Sequence, residues 1–104
     1  MKSKRRLSCP IGPKMMSLSA VKRFEAQAAD QGVSKVARSG RGFLTAYKQG
    51  ELDPWWCKRR AAFIKRHMAQ VRKRREPLWK PDGTPTRRHL ALIMWAYSPS
   101  RKAW

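Results

Sequence analysis

The sequence predicts a mostly α fold, a small three- to four-helix orthogonal bundle with an extended basic N-terminal arm. Three observations lead there. A length of 104 residues allows one domain. Apolar residues make up 41%, with five Trp, three Phe and two Tyr, so there is material for a core, whereas disorder requires low hydrophobicity as well as high charge. Apolar positions recur at helical spacing in stretches divided by Gly and Pro. The division that follows is a flexible basic arm over 1–16 and a single helical domain over 17–104.

Over residues 1–16, Lys2, Lys4, Arg5, Arg6 and Lys14 stand without an acid, and Cys9-Pro10 and Gly12-Pro13 block regular structure. Residues 17–32 read as a helix, with Leu18, Val21, Phe24 and Ala28 on one stripe. Ser17 or Ser19 can cap its start, and Gly32 can end it in the left-handed conformation. Ser39-Gly40-Arg41-Gly42 reads as a loop, followed by a short helix from Arg41 to Gln49 that Gly50 closes. The clearest element runs from 53 to 76. Asp53 is a good N-cap, Pro54 suits the first helical position, and the helix can reach about Arg75. At 100° per residue, Trp56, Phe63, Ile64, His67, Met68 and Val71 share one side. Lys58, Arg59, Lys65, Arg66, Arg72 and Lys73 share the other. Arg60 projects into the apolar side, where its stem can pack while its head reaches solvent. Pro81-Asp82-Gly83 is a turn, and Thr84 and Pro85 start a last helix running to about Tyr97. That helix is apolar nearly all round, which places it centrally in the core or gives it a second face for another protein. Ser98-Pro99 ends it, leaving a short basic tail.

With 25 Lys and Arg against six Asp and Glu, the formal charge is +19. Such a domain repels itself unless polyanions relieve it, and nucleic acid does so by releasing counterions. DNA and RNA are both open as partners. A solvated surface kept for solubility and an acidic protein partner are the alternatives. No membrane span is expected, because no apolar run approaches the ~18 residues one requires, and no signal-peptide core follows the basic start. Acidic membrane surfaces rank below nucleic acid, because basic residues occur in every segment and not only beside one apolar face, so no membrane partner is expected.

Catalysis is not supported. Six acids leave little room for a paired-carboxylate site, and no Ser/His/Asp or Cys/His arrangement can be argued from the spacings. His67 on the apolar side reads as a packed histidine, while His89 beside Arg87 and Arg88 suits phosphate contact. Cys9 and Cys57 make no disulfide framework and read as reduced thiols in an intracellular protein. No zinc-ligand pair is present, and the Gly40–Gly42 loop lacks the Lys-Ser/Thr ending of a P-loop. No metal or cofactor is therefore expected.

The residues proposed to contact nucleic acid are Lys4, Arg5 and Arg6 of the arm; Lys58, Arg59, Lys65, Arg66, Arg72, Lys73, Arg74 and Arg75 of the long helix; and Arg87, Arg88, Arg101 and Lys102 as auxiliaries. Trp55, amid cations on the outer face, and Trp104, with little core to join, are candidates for stacking on a base. Thr84-Pro85-Thr86-Arg87 and Ser98-Pro99-Ser100-Arg101 share the form of short minor-groove motifs, although helix capping also explains the first. A tight-turn helix-turn-helix is absent, so sequence-specific readout is not expected.

The stretch from Arg60-Ala61-Ala62-Phe63 through Gly83-Thr84-Pro85-Thr86-Arg87 and Leu90-Ala91-Leu92 to Trp95-Ala96 resembles a small basic family of uncharacterised phage and bacterial proteins. The likeness spans about the last 45 residues. It implies a phage or viral origin and carries no activity. The sequence thus favours a non-enzymatic nucleic-acid-binding protein, in a host cytoplasm or nucleoid or within a virion. The alternatives are a structural subunit of a ribonucleoprotein or virion, or an inhibitor gripping an acidic groove of a host protein.

Overall fold

The computed structural model describes residues 8–104. Six helices follow in order: α1 Leu18–Lys22, α2 Glu25–Asp30, α3 Lys35–Arg38, α4 Phe43–Gln49, α5 Pro54–Arg74 and α6 Arg87–Ile93. A 3₁₀ turn closes the chain at Arg101–Ala103. Among the described residues the only β pairing is an isolated antiparallel bridge between Trp79 and Pro85. The mostly helical bundle predicted from the sequence is what forms.

The helix ends explain the boundaries. Ser17 caps α1 by accepting from the Ala20 amide. The single helix expected over 17–32 is two, because the chain tightens at Arg23 and Phe24, where the Phe24 amide donates to Val21 O. Arg23 there reaches across to the carbonyls of Ala103 and Trp104. Gly32, at φ +64°, ends α2 as expected: its amide bonds Ala29 O and that of Val33 bonds Ala28 O. Gly50 closes α4 in the same way. The short α3 has no counterpart in the sequence-based reading. It packs against α4 so closely that a Cβ at Gly42 would land on the carbonyls of Val36 and Ala37. The Ser39–Gly42 loop is therefore a packing corner.

Asp53 accepts from the Trp56 amide, and with Pro54 in the first turn α5 begins as the sequence predicts. It ends at Arg75, which takes the left-handed conformation at φ +52°. The start of α6 is corrected. Its N-cap is Thr86, not Thr84. Residues 78–86 form a hairpin-like turn in which Lys80 N bonds Thr84 O and Thr86 N bonds Leu78 O, with Asp82 holding Thr84. Pro85 is thereby held in the bridge to Trp79.

The core forms around α6. Leu90, Ile93, Met94 and Trp95 are buried in one cluster with Phe43, Leu44 and Tyr47 of α4 and with Val21, Ala28 and Met16, and Leu92 is buried as well. The face of α6 that the sequence left open to a partner is therefore internal. From α5 only Cys57, Arg60 and Ile64 are fully buried. The Arg60 head does not reach solvent as expected. It is wholly buried and donates to the carbonyls of Trp95 (2.6 Å), Pro13 (2.7 Å), Ala96 (3.0 Å) and Lys14 (3.3 Å).

Those bonds also correct the arm. Residues 9–16 are fastened to the domain: Pro13 and Lys14 by Arg60, Met16 by its amide on Ala96 O (2.8 Å), and Cys9 by a disulfide to Cys57. The reduced-thiol reading fails because the Pro10–Pro13 turn folds the chain back onto the first turn of α5. The two Cα atoms then lie 5.4 Å apart, within bridging range. A cross-link over 48 residues stabilises a fold by about 2–4 kcal/mol, largely by constraining the unfolded chain. Cys57→Ser should lose about that much in urea unfolding without reductant. A reducing dithiol should reproduce the loss in the wild type and add nothing in the variant. Equal midpoints for all four samples would show that the bridge does not hold the fold.

Candidate functional site

The outer face of α5 carries the largest concentration of cationic groups. Lys58, Lys65 and Arg72 form one row and Arg59, Arg66 and Lys73 a second, each stepping by seven residues, ~10.5 Å along the axis. Trp55, Ala62 and Ala69 occupy the strip between them. All six cations are exposed, as are Arg74 and Arg75. Beyond Ile64 no residue of α5 is fully buried, so its second half presents cations on an open rod. Trp55 is 56% exposed, as the sequence predicts. Its ring meets Trp56 edge-on at 4.6 Å and lies under the Arg59 guanidinium at 4.8 Å.

One flank of the same helix holds a feature that the sequence did not reveal. Four rings stack in a column from the core outward. Phe43 lies 5.1 Å from Trp95, Trp95 4.9 Å from Phe63, and Phe63 3.9 Å from His67, with interplanar angles of 23–27°. The pairing of Phe63 with His67, four residues apart, could be read from the helix period; the ring that Trp95 adds from just beyond α6 could not. Arg88 fixes the outer end. It grips Glu76 with two bonds (2.9 and 3.1 Å) and donates to His67 Nδ1 at 2.7 Å. A guanidinium donating to Nδ1 requires a neutral ring there. Partial burial, then the charges of Arg88 and Arg66, holds the His67 pKa below its usual value. The Arg88 bonds hold the Glu76 carboxyl below the usual range.

The other proposed nucleic-acid contacts fall elsewhere. Lys4, Arg5 and Arg6 lie outside the described residues. Arg88, proposed as an auxiliary, is committed to Glu76 and His67, and Arg87 donates to Gln31 O at 2.6 Å while remaining exposed. Arg101 lies over Trp104 at 5.0 Å and Lys102 over Trp79 at 4.7 Å, and no α5 residue is among these partners. Trp104 does find a core to join. It is half-buried against it, and its indole N–H donates to Ser98 O at 2.8 Å. His89, expected to face phosphate, is fully buried. Its Nδ1–H donates to Leu78 O and its Nε2 accepts from the Ser98 hydroxyl. Burial lowers its pKa, against the opposing pull of the Leu78 bond.

No family model matches the chain, and no curated protein or solved structure matches it.

Proposed function

We propose that this chain is a non-enzymatic nucleic-acid-binding protein that holds phosphates on the outer face of α5. One observation carries the reading. Eight exposed cations on one element, Lys58 to Arg75, have no acidic partner among the described residues, where the only ion pairs are Lys48–Glu25 (2.8 Å) and Arg88–Glu76 (2.9 Å). A helix built for its own stability would pair such charges with acids three or four positions away, for a few tenths of a kcal/mol each. Four basic residues at its C-terminus exceed what the helix dipole rewards. Charges left unpaired in this way suit a ligand that brings its own anions. The non-catalytic part of the reading rests on the nucleophile and base candidates: both cysteines are joined, and both histidines have structural hydrogen bonds.

The test is ionic strength. Engaging ~6–10 phosphates should cost roughly 10³–10⁵ in affinity between 50 and 200 mM salt. Filter binding of a labelled oligonucleotide across that range reads it directly. A flat dependence would overturn the phosphate reading and favour an acidic protein partner.

A further inference from the structure

The aromatic column ends in an open recess. Past His67, toward the end of α5, lies a cavity of about 540 Å³ lined by Arg66, His67, Ala69, Gln70, Arg74 and Arg88. Phe63 covers one face of the His67 ring, and among the described residues no aromatic ring covers the other. The column runs along α5 with the helix period, from Phe63 to His67, and the next positions on that line are Gln70 and Arg74, in the wall of the recess. A flat ring entering here would become the fifth member of the stack. We propose that this recess receives an unpaired nucleobase of a single-stranded nucleic acid, stacked on His67, with Arg66 and Arg74 on the phosphates either side of it. The proposal rests on the nucleic-acid reading above and names the form of the ligand.

Three features favour a single strand over a duplex. Stacking needs a base whose face is free, and a paired base inside a helix has none. The platform is rigid, because Arg88 holds His67 by its edge while being held by Glu76, so a base meets a ring already ordered. The flank also continues as a cationic groove. Arg59, Arg66 and Arg74 follow one another at ~10–12 Å intervals along the helix. Between Arg59 and Arg66 a second recess of about 160 Å³ is floored by Phe63 and Trp95. Trp95 is 3% exposed, and its indole N–H has no acceptor among the described residues. A groove of cations with aromatic platforms is how single strands are held without sequence preference.

The experiment uses the full chain and a short oligonucleotide with one 2-aminopurine, whose fluorescence falls when it stacks. It is offered single-stranded, as DNA and as RNA, and paired in a duplex. Binding should quench the single-stranded probes. His67→Ala should weaken their binding about five- to 150-fold, the range for losing one base–aromatic stack. His67→Phe, which keeps a flat ring but loses the Arg88 bond, should retain most of the affinity and the quenching. Matching melting temperatures for the two variants exclude unfolding as the cause. Normal binding by His67→Ala, or binding without quenching, would overturn the single-strand site while leaving phosphate binding intact. Absence of binding to every probe at low salt would overturn both readings. Equal behaviour of the DNA and RNA probes would place recognition in base and phosphate, and a preference for one would bring in the sugar.

Discussion

Replacing Lys58, Lys65, Arg66, Arg72 and Lys73 with Gln should abolish nucleic-acid binding at moderate salt and leave the protein at least as stable as before. Gln is nearly as good a helix former as Lys and Arg, so propensity changes little. None of the five side chains is buried or ion-paired, so the fold does not depend on them. Five fewer positive charges on a +19 domain relieve self-repulsion, and the melting temperature should hold or rise. Binding moves the other way. Each phosphate that is no longer engaged lowers the log–log salt slope by about 0.7 on a single strand and about 0.9 on a duplex, so five remove about 3.5 to 4.5 from it. A gel shift at several salt concentrations and a thermal melt give the two readings on one sample. Normal binding by the Gln variant would mean that the outer face of α5 is only a solvated surface, and the structural-subunit reading would take its place.

Why this face was legible and much of the rest was not follows from the range of the forces involved. The α5 start, its apolar seam and its cationic side depend on local chemistry. Asp53 and Pro54 act on the adjacent backbone, and the 100° turn per residue sorts the faces whatever packs against them. Gly32 and Gly50 were readable for the same reason, since left-handed helix ends are a local demand. Most of the other misreadings involve partners outside the local segment. Thr84 and Thr86 are equally good caps, and the choice was made by the bridge of Trp79 to Pro85. His89 looked exposed beside Arg87 and Arg88, yet Leu78 and Ser98 close over it. Arg88 looked free until Glu76 and His67 claimed it. Cys9 and Cys57 are 48 positions apart, and nothing local says that the turn at Pro10–Pro13 brings them together.

Arg60→Met should cost about 3–5 kcal/mol, because each buried carbonyl left without its donor costs about 1–3 kcal/mol and Met offsets part of the sum. Arg60 is a buried cation with no carboxylate partner among the described residues, an arrangement that is normally expensive. Here its partners are four carbonyl oxygens, of which those of Trp95 and Ala96 lie at the end of α6, the negative end of that helix. Burial pulls its pKa down to about 10, still far enough above neutrality to keep it charged. The same bonds hold Ala96 at φ +60°, a conformation that costs an L-residue roughly 1–2 kcal/mol. They also hold Pro13 and Lys14 against α5. Charged hydrogen bonds contribute ~1.5–3 kcal/mol each, and four would sum to more than the expected loss. Met keeps much of the stem's packing and recovers the guanidinium's desolvation, which brings the sum down. Arg60→Lys keeps the charge but cannot span carbonyls on two segments, so it should fall between Met and the wild type. Urea midpoints rank the three proteins. Hydrogen exchange at the Met16 amide, bonded to Ala96 O, should speed up in the Met variant before the amides of α4 do. A Met variant as stable as the wild type would show that water serves those carbonyls as well as Arg60 does, and that the disulfide and the Met16 bonds to Ala96 and Tyr47 suffice to hold the segment before α1.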